Sequence, residues 1–202
     1  GGRRDRPAQG NLLADGLASG PDGRSPVCAT GSDQGRKAAV KYTRCHTSLG
    51  PIYVAWTEKG IACLSLEEEG DEAFRASCRE CTGQTPVRDD SRRAELEAVL
   101  EGWLAGEPYD GPVDLSFLSP FEQAVLAVCR AIPRGEVRTY ADLAAAVGRP
   151  GAARAVGNAM RRNPVPLLVP CHRVVRRDGT IGQYSMGGPE MKRRLLQLEG
   201  AL

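Results

Sequence analysis

The alternation of apolar and polar positions changes character twice along the chain. Residues 1–38 are rich in Gly, Ser, Asp, Arg and Pro, keep no period, and read as a flexible extension. From Val40 the pattern changes to short β-like runs, and 41–47, 52–56 and 61–66 are predicted strands. The last two are joined by Thr57-Glu58-Lys59-Gly60, a short polar connection that suits a hairpin. An acidic break over 67–71 follows, then a short helix over 71–81. Beyond a polar loop at 86–90 a second helix begins near Ser91, with Leu96, Val99, Leu100, Trp103 and Leu104 on one apolar stripe. Residues 39–114 therefore read as a small, strand-rich α+β domain.

Residues 105–118, punctuated by Gly106, Pro108, Gly111 and Pro112, lead into a helical region over 115–202. It opens on Ser119-Pro120-Phe121-Glu122, a capping box with proline in the first turn. Phe121, Ala124, Val125, Val128, Cys129 and Ile132 mark the expected buried stripe, and Pro133 stops the helix. Thr139-Tyr140-Ala141-Asp142 is a second capping box, heading a short helix through Val147. Gly148-Arg149-Pro150-Gly151 makes a tight turn, and 152–162 forms a third helix of small residues carrying Arg154, Arg161 and Arg162. Helix, turn and arginine-bearing helix match a helix-turn-helix. Alanine is also the best helix former, so a helical hairpin that touches no nucleic acid stays open on pattern alone.

Charge shifts that balance. The net +2 conceals +1 over residues 1–36, −6 over 37–114 and +7 over 115–202, and twelve of the thirteen cations in the last stretch are arginines. Arginine binds phosphate bidentately and stacks on bases, so the basic part expects a polyanion, with a merely solvated basic face as the other reading. With 41% hydrophobic residues in 202, the chain can bury a core and is not disordered throughout. No apolar run approaches the roughly 18 residues of a membrane span, and Gly1-Gly2-Arg3-Arg4-Asp5 does not lead into the apolar stretch of a signal peptide. Seven cysteines, odd in number and irregularly spaced, fit reduced thiols better than a disulfide framework. The expected location is the cytoplasm, at the nucleoid in a prokaryote, or the nucleus in a eukaryote.

Two constellations carry chemistry. Val169-Pro170-Cys171-His172-Arg173-Val174-Val175 sets a histidine beside a cysteine in an apolar run, and an imidazole can help a thiol reach its nucleophilic thiolate form. A thiol packed as a small apolar side chain accounts for the same run. Cys45-His46 with Cys78-x-x-Cys81 offers four zinc ligand types, but the pairs lie far apart and there is no second CxxC. Thiols packed in a core are the reading taken there, and no metal is expected.

Longer motifs decide between the readings of Cys171. Gly135-Glu136-Val137-x-Thr139-Tyr140-x-x-Leu143-Ala144, Ala153-Arg154-Ala155-Val156-Gly157, Asn163-Pro164-Val165-Pro166 and Pro170-Cys171-His172-Arg173-Val174-Val175 resemble the signature of the O6-alkylguanine-DNA alkyltransferases, also called methylated-DNA-protein-cysteine methyltransferases. The resemblance spans 119–200 and, more loosely, the chain from about residue 40. It implies an α+β protein with a small RNase H-like domain followed by a helix-turn-helix, winged-helix-like domain. It further implies direct-reversal repair of O6-alkylguanine and O4-alkylthymine in duplex DNA, by a monomer, without a cofactor. The alkyl group would pass irreversibly to Cys171, once per molecule.

The same resemblance assigns roles. His172 would take the Cys171 proton through a water, oriented by Glu199, while Asn163 holds the turn ahead of the active-site segment. Arg154 would enter the minor groove and fill the gap left by a flipped nucleotide, which must leave the stack before its O6 can be reached. Tyr140 would crowd the phosphate and read the base; Met160, Val174 and Ser185 would line the pocket, with the Cys171 and Val174 backbone reading the guanine edge. One departure stands out: Gln183-Tyr184-Ser185-Met186-Gly187-Gly188 is one residue longer than the family's usual pocket loop, with Met186 as the added residue. A non-catalytic lesion binder or helix-turn-helix regulator is the competing class. A thiol redox protein would need a resolving cysteine close to Cys171 in sequence, and none is present.

Overall fold

The structure, a computed structural model of the chain, describes residues 39–66 and 70–202. The extension assigned to 1–38, with Cys28, and positions 67–69 of the acidic break lie outside the described residues. All described residues fall within one compact unit.

The three β-like runs pair as an antiparallel meander of β1 (Lys41–Thr47), β2 (Gly50–Thr57) and β3 (Gly60–Leu66), with β2 and β3 buried on both faces. A two-residue β4 (Val87–Arg88) pairs parallel to β1, giving the order β3-β2-β1-β4. Side chains two apart share a face, so the sheet sorts its apolar residues into two clusters. Tyr42, Tyr53, Ala55 and Cys63 face the helix α1 (Gly70–Thr82), where Phe74 stacks on Tyr53 at 5.0 Å. Cys45, Ile52, Val54, Trp56, Ile61 and Leu64 face the other way, toward α2 (Arg93–Ala105) with its buried Leu96, Leu100, Trp103 and Leu104.

Gly60 decides how the following chain lies against this sheet. Its φ is +134°, and a Cβ there would come within 2.3 Å of the Pro112 carbonyl oxygen. Only glycine allows that approach, and it lets Ile61 pair with Val113 across the approach to the second domain.

The second domain is helical, with α3 (Pro120–Arg130), α4 (Tyr140–Ala146), α5 (Ala153–Arg161) and α6 (Gly188–Leu198). Both sequence-predicted capping boxes form. Glu122 N–H donates to Ser119 Oγ at 3.3 Å while Glu122 accepts from Ser119 N–H at 2.9 Å; Thr139 and Asp142 exchange the same pair at 3.2 and 2.7 Å. The stripe on α3 is rotated slightly from its sequence reading: Leu126 is buried and Ala124 exposed. β5 (Arg138–Thr139) and β6 (Val174–Val175) pair in parallel, a small wing beside α4 and α5. The apolar run around Cys171 is not one extended strand: Cys171–Arg173 is a 3-10 turn, and only the two residues of β6 after it are strand.

The inner face of the sheet, α2 and the helices α3, α5 and α6 share one continuous apolar cluster. A backbone bond fixes the join at its most useful point, where Leu64 N–H of β3 donates to the Pro164 carbonyl at 2.8 Å. The free edge of the sheet thereby braces the segment that leads into Cys171.

Candidate active site

Residues 163–175 form an almost wholly buried strip, and Asn163 organises it. Its Nδ2 donates to the Val169 carbonyl at 2.8 Å and lies 3.1 Å from Cys171 Sγ, while its Oδ1 accepts from Val165 N–H at 3.1 Å. Leu167, inside the bend so made, has φ +73°. Left-handed backbone at a leucine is strained and persists only where its surroundings over-determine it. Pro164, Pro166 and the Asn163 bonds supply that constraint, and the bend ends with the Cys171 sulfur held at a fixed point.

Behind Cys171 lies a buried charge network. His172 has no solvent exposure, sits edge-on to Trp103 and Tyr184 at 5.7 and 6.1 Å, and places Nε2 3.0 Å from Glu199 Oε1. Arg173 grips both oxygens of the same carboxylate at 2.8 Å and also donates to the Ile132 carbonyl. Burial pushes the Glu199 carboxyl up, but the hydrogen bonds and charges of His172 and Arg173 outweigh it and hold the group at about 2. Burial, helped by the Arg173 and Lys192 cations, drives the His172 pKa down despite Glu199. A neutral imidazole beside a carboxylate must donate Nε2–H to it, which leaves Nδ1 as the acceptor. That atom is buried and has no hydrogen-bond partner among the described residues.

Burial raises the Cys171 thiol above its usual pKa, opposed by Asn163 and by the charge of Lys192. The resting group is therefore a thiol, which needs a base to reach its nucleophilic form. Lys192 was not singled out in the sequence. It comes from α6, is fully buried, and donates through Nζ to the Val174 carbonyl. A lysine at a core position leaves no apolar mark, and only the fold reveals it.

In front of Cys171 opens a cavity of about 850 Å³. Tyr140, Met160, Cys171 and Ser185 line it, and Arg154, Arg161, Arg176 and Arg177 also stand around it. Tyr140 is half-buried at the start of α4 and packs closely over Gly182, where a Cβ would meet its Oη at 3.0 Å and force it to shift, while its ring lies over Gly157 with room for ordinary contact. Arg154 is exposed in the first turn of α5. Val174 is buried beneath the cavity and is not among the lining residues. Met186 points inward, 3% exposed within the core, and Ser185 remains exposed at the cavity, so the extra loop residue is absorbed by the interior.

The four zinc-type ligands do not converge. Cys45 is buried on the inner face of the sheet, its thiol pushed up to about 12 by burial. His46 is exposed beside Arg44 and Glu97, and Cys78 and Cys81 lie on α1 across the sheet.

Residues 120–201 match the family model described as "6-O-methylguanine DNA methyltransferase, DNA binding domain". Over 159 residues the chain is 38% identical to the constitutive methylated-DNA–protein-cysteine methyltransferase of Bacillus subtilis, covering 78% of this chain and 94% of that protein. This chain belongs to the methylated-DNA–protein-cysteine methyltransferase family. Among solved structures, the O6-methylguanine methyltransferase of Mycobacterium tuberculosis superposes with a TM-score of 0.67 at 34% identity, covering 80% of this chain and 93% of that one. The Mycobacterium tuberculosis OGT in complex with DNA gives 0.64 at 31%, covering 81% and 93%. The two-domain α+β architecture is thus the fold of the family.

Proposed function

We propose that this methyltransferase-family chain repairs DNA directly, moving the alkyl group of O6-alkylguanine, and of O4-alkylthymine, from duplex DNA to Cys171. One observation carries the reading: a single cysteine ends a cavity ringed by arginines, and a buried His172–Glu199–Arg173 network lies behind it.

The arginines would draw the phosphate backbone to the mouth, an attraction set by charge and indifferent to sequence. The base must then leave the stack, at a cost of a few kcal/mol that compensating contacts offset. Arg154, exposed on the helix-turn-helix at the cavity, would occupy the vacated position, and the ring of Tyr140 would form a wall for the extruded base. The backbone of Cys171 and Val174 would read the guanine edge, with Lys192 donating to the Val174 carbonyl from behind.

The chemistry starts from two neutral partners. As the alkylated base enters, the Cys171 proton passes through water to His172 Nδ1, and the new imidazolium is stabilised by Glu199, already ionised by its bond to Arg173. The sulfur attacks the alkyl carbon, the S–C bond forms as the C–O6 bond breaks, and the electron pair stays on guanine, which takes up a proton. A thioether does not return the group, so each molecule acts once. Action as a monomer is part of this proposal.

The test is incubation with a duplex containing O6-methylguanine, followed by nucleoside analysis of the DNA. Loss of O6-methylguanine should match the amount of protein added and should vanish in Cys171→Ala. Binding to the lesion with no such loss would contradict the reading in favour of a lesion binder.

A further inference from the structure

We propose that Cys63 and Cys81 form a second thiol centre, on the outer face of the sheet, which a peroxide converts into an intramolecular disulfide joining β3 to α1. It lies in the smaller apolar cluster, apart from the cluster that contains Cys171, and the repair chemistry makes no use of it.

Three thiols meet there from two elements. Cys78 and Cys81 are three residues apart on α1 and so share one helix face. Cys63, on β3, belongs to the same buried cluster as Cys78, and Cys81 packs against that cluster. Their exposures differ: Cys78 is 1% and Cys63 5% exposed, while Cys81 is half-buried at the rim of the cluster.

The division of labour follows from the surroundings. The hydrogen bond from Cys63 and the charge of Arg162 lower the Cys81 thiol to about 7, against burial and Glu80. A partly exposed thiol with a pKa near ambient pH is the best placed to attack. Its hydrogen bonds to Cys78 and Cys81, together with burial, push Cys63 well above the usual value, so it waits as the protonated partner. The Cys81 thiolate attacks one peroxide oxygen, the O–O bond breaks, and hydroxide leaves, giving a sulfenic acid. The Cys63 sulfur then attacks the Cys81 sulfur, and the S–O bond breaks. The hydroxyl leaves as water with the Cys63 proton. Two thiols have lost two electrons to one peroxide. Cys78 is the weaker candidate for bridging Cys81, because a disulfide spanning i and i+3 distorts a regular helix.

The experiment exposes the full chain to stoichiometric hydrogen peroxide at pH 7, blocks remaining thiols with iodoacetamide, and maps peptides without reduction. The expected result is a Cys63–Cys81 linked peptide, the loss of two free thiols per chain, and retained capacity to repair O6-methylguanine DNA. Cys81→Ala should abolish the link and leave repair unchanged. As a second readout independent of any variant, iodoacetamide should label Cys81 in the native reduced chain at least tenfold faster than Cys78. Oxidation of Cys171 ahead of the cluster, a Cys63–Cys78 link, or sulfinic acid at Cys81 with no link would each overturn the proposal.

Discussion

Cys171 and His172 carry opposite shifts, and together they set how the site should respond to pH. Burial raises the thiol and lowers the imidazole, so neither is charged near neutrality. Repair should be flat above about pH 6.5, the ordinary histidine value, and should fall in acid as His172 takes up the proton it would otherwise accept from Cys171. Labelling of free Cys171 by iodoacetamide reports the unassisted thiolate instead, and should still be climbing at pH 9. Parallel pH profiles for repair and labelling would mean that Cys171 is a preformed thiolate and that the neutral pair is wrong. At this scale the sequence motif displayed Cys171, His172, Asn163, Arg154 and Tyr140. It could not display Arg173 and Lys192 as working residues, since a bidentate grip on Glu199 and a bond to the Val174 carbonyl exist only after folding.

Elements with their own local signals were legible in the sequence: the three long strands are short runs of strand-forming residues between turn signals, and the capping boxes open α3 and α4 as their residues require. Elements defined by tertiary pairing were not. β4 has two residues, both exposed, and is a strand only because β1 lies beside it. α6 begins with Gly188-Pro189 and buries a lysine where a helical stripe expects an apolar residue, so its periodicity is broken. Two predictions belong to elements. Replacing Arg154 on α5 by alanine should slow repair in duplex DNA by on the order of 100-fold, within the range of the few kcal/mol that base flipping costs. Reaction with the free modified base should change far less, and equal losses on both substrates would remove the assigned role. Gly60→Ala, at positive φ and against the Pro112 backbone, should lower stability by about 1–3 kcal/mol in denaturant titration while leaving Cys171 chemistry intact in the folded fraction.

The whole molecule joins a sheet to a DNA-binding half through one core, and the bond from Leu64 to Pro164 gives the sheet a share in holding the alkyl acceptor. Charge follows that division, with −6 over residues 37–114 and +7 over 115–202. Affinity for undamaged duplex should therefore fall steeply with salt, with a log–log slope near −0.9 for each phosphate neutralised. Arg176→Ala, at the cavity mouth, should reduce that slope by about 1 by fluorescence anisotropy; an unchanged slope would place the DNA on another face. Most direct of all is the mass of the protein itself after reaction with O6-methylguanine duplex. The account predicts the gain of one methyl group per chain, confined to the peptide containing Cys171 and absent in Cys171→Ala. A methyl group on any other residue, or tight binding with no gain in mass, would contradict it.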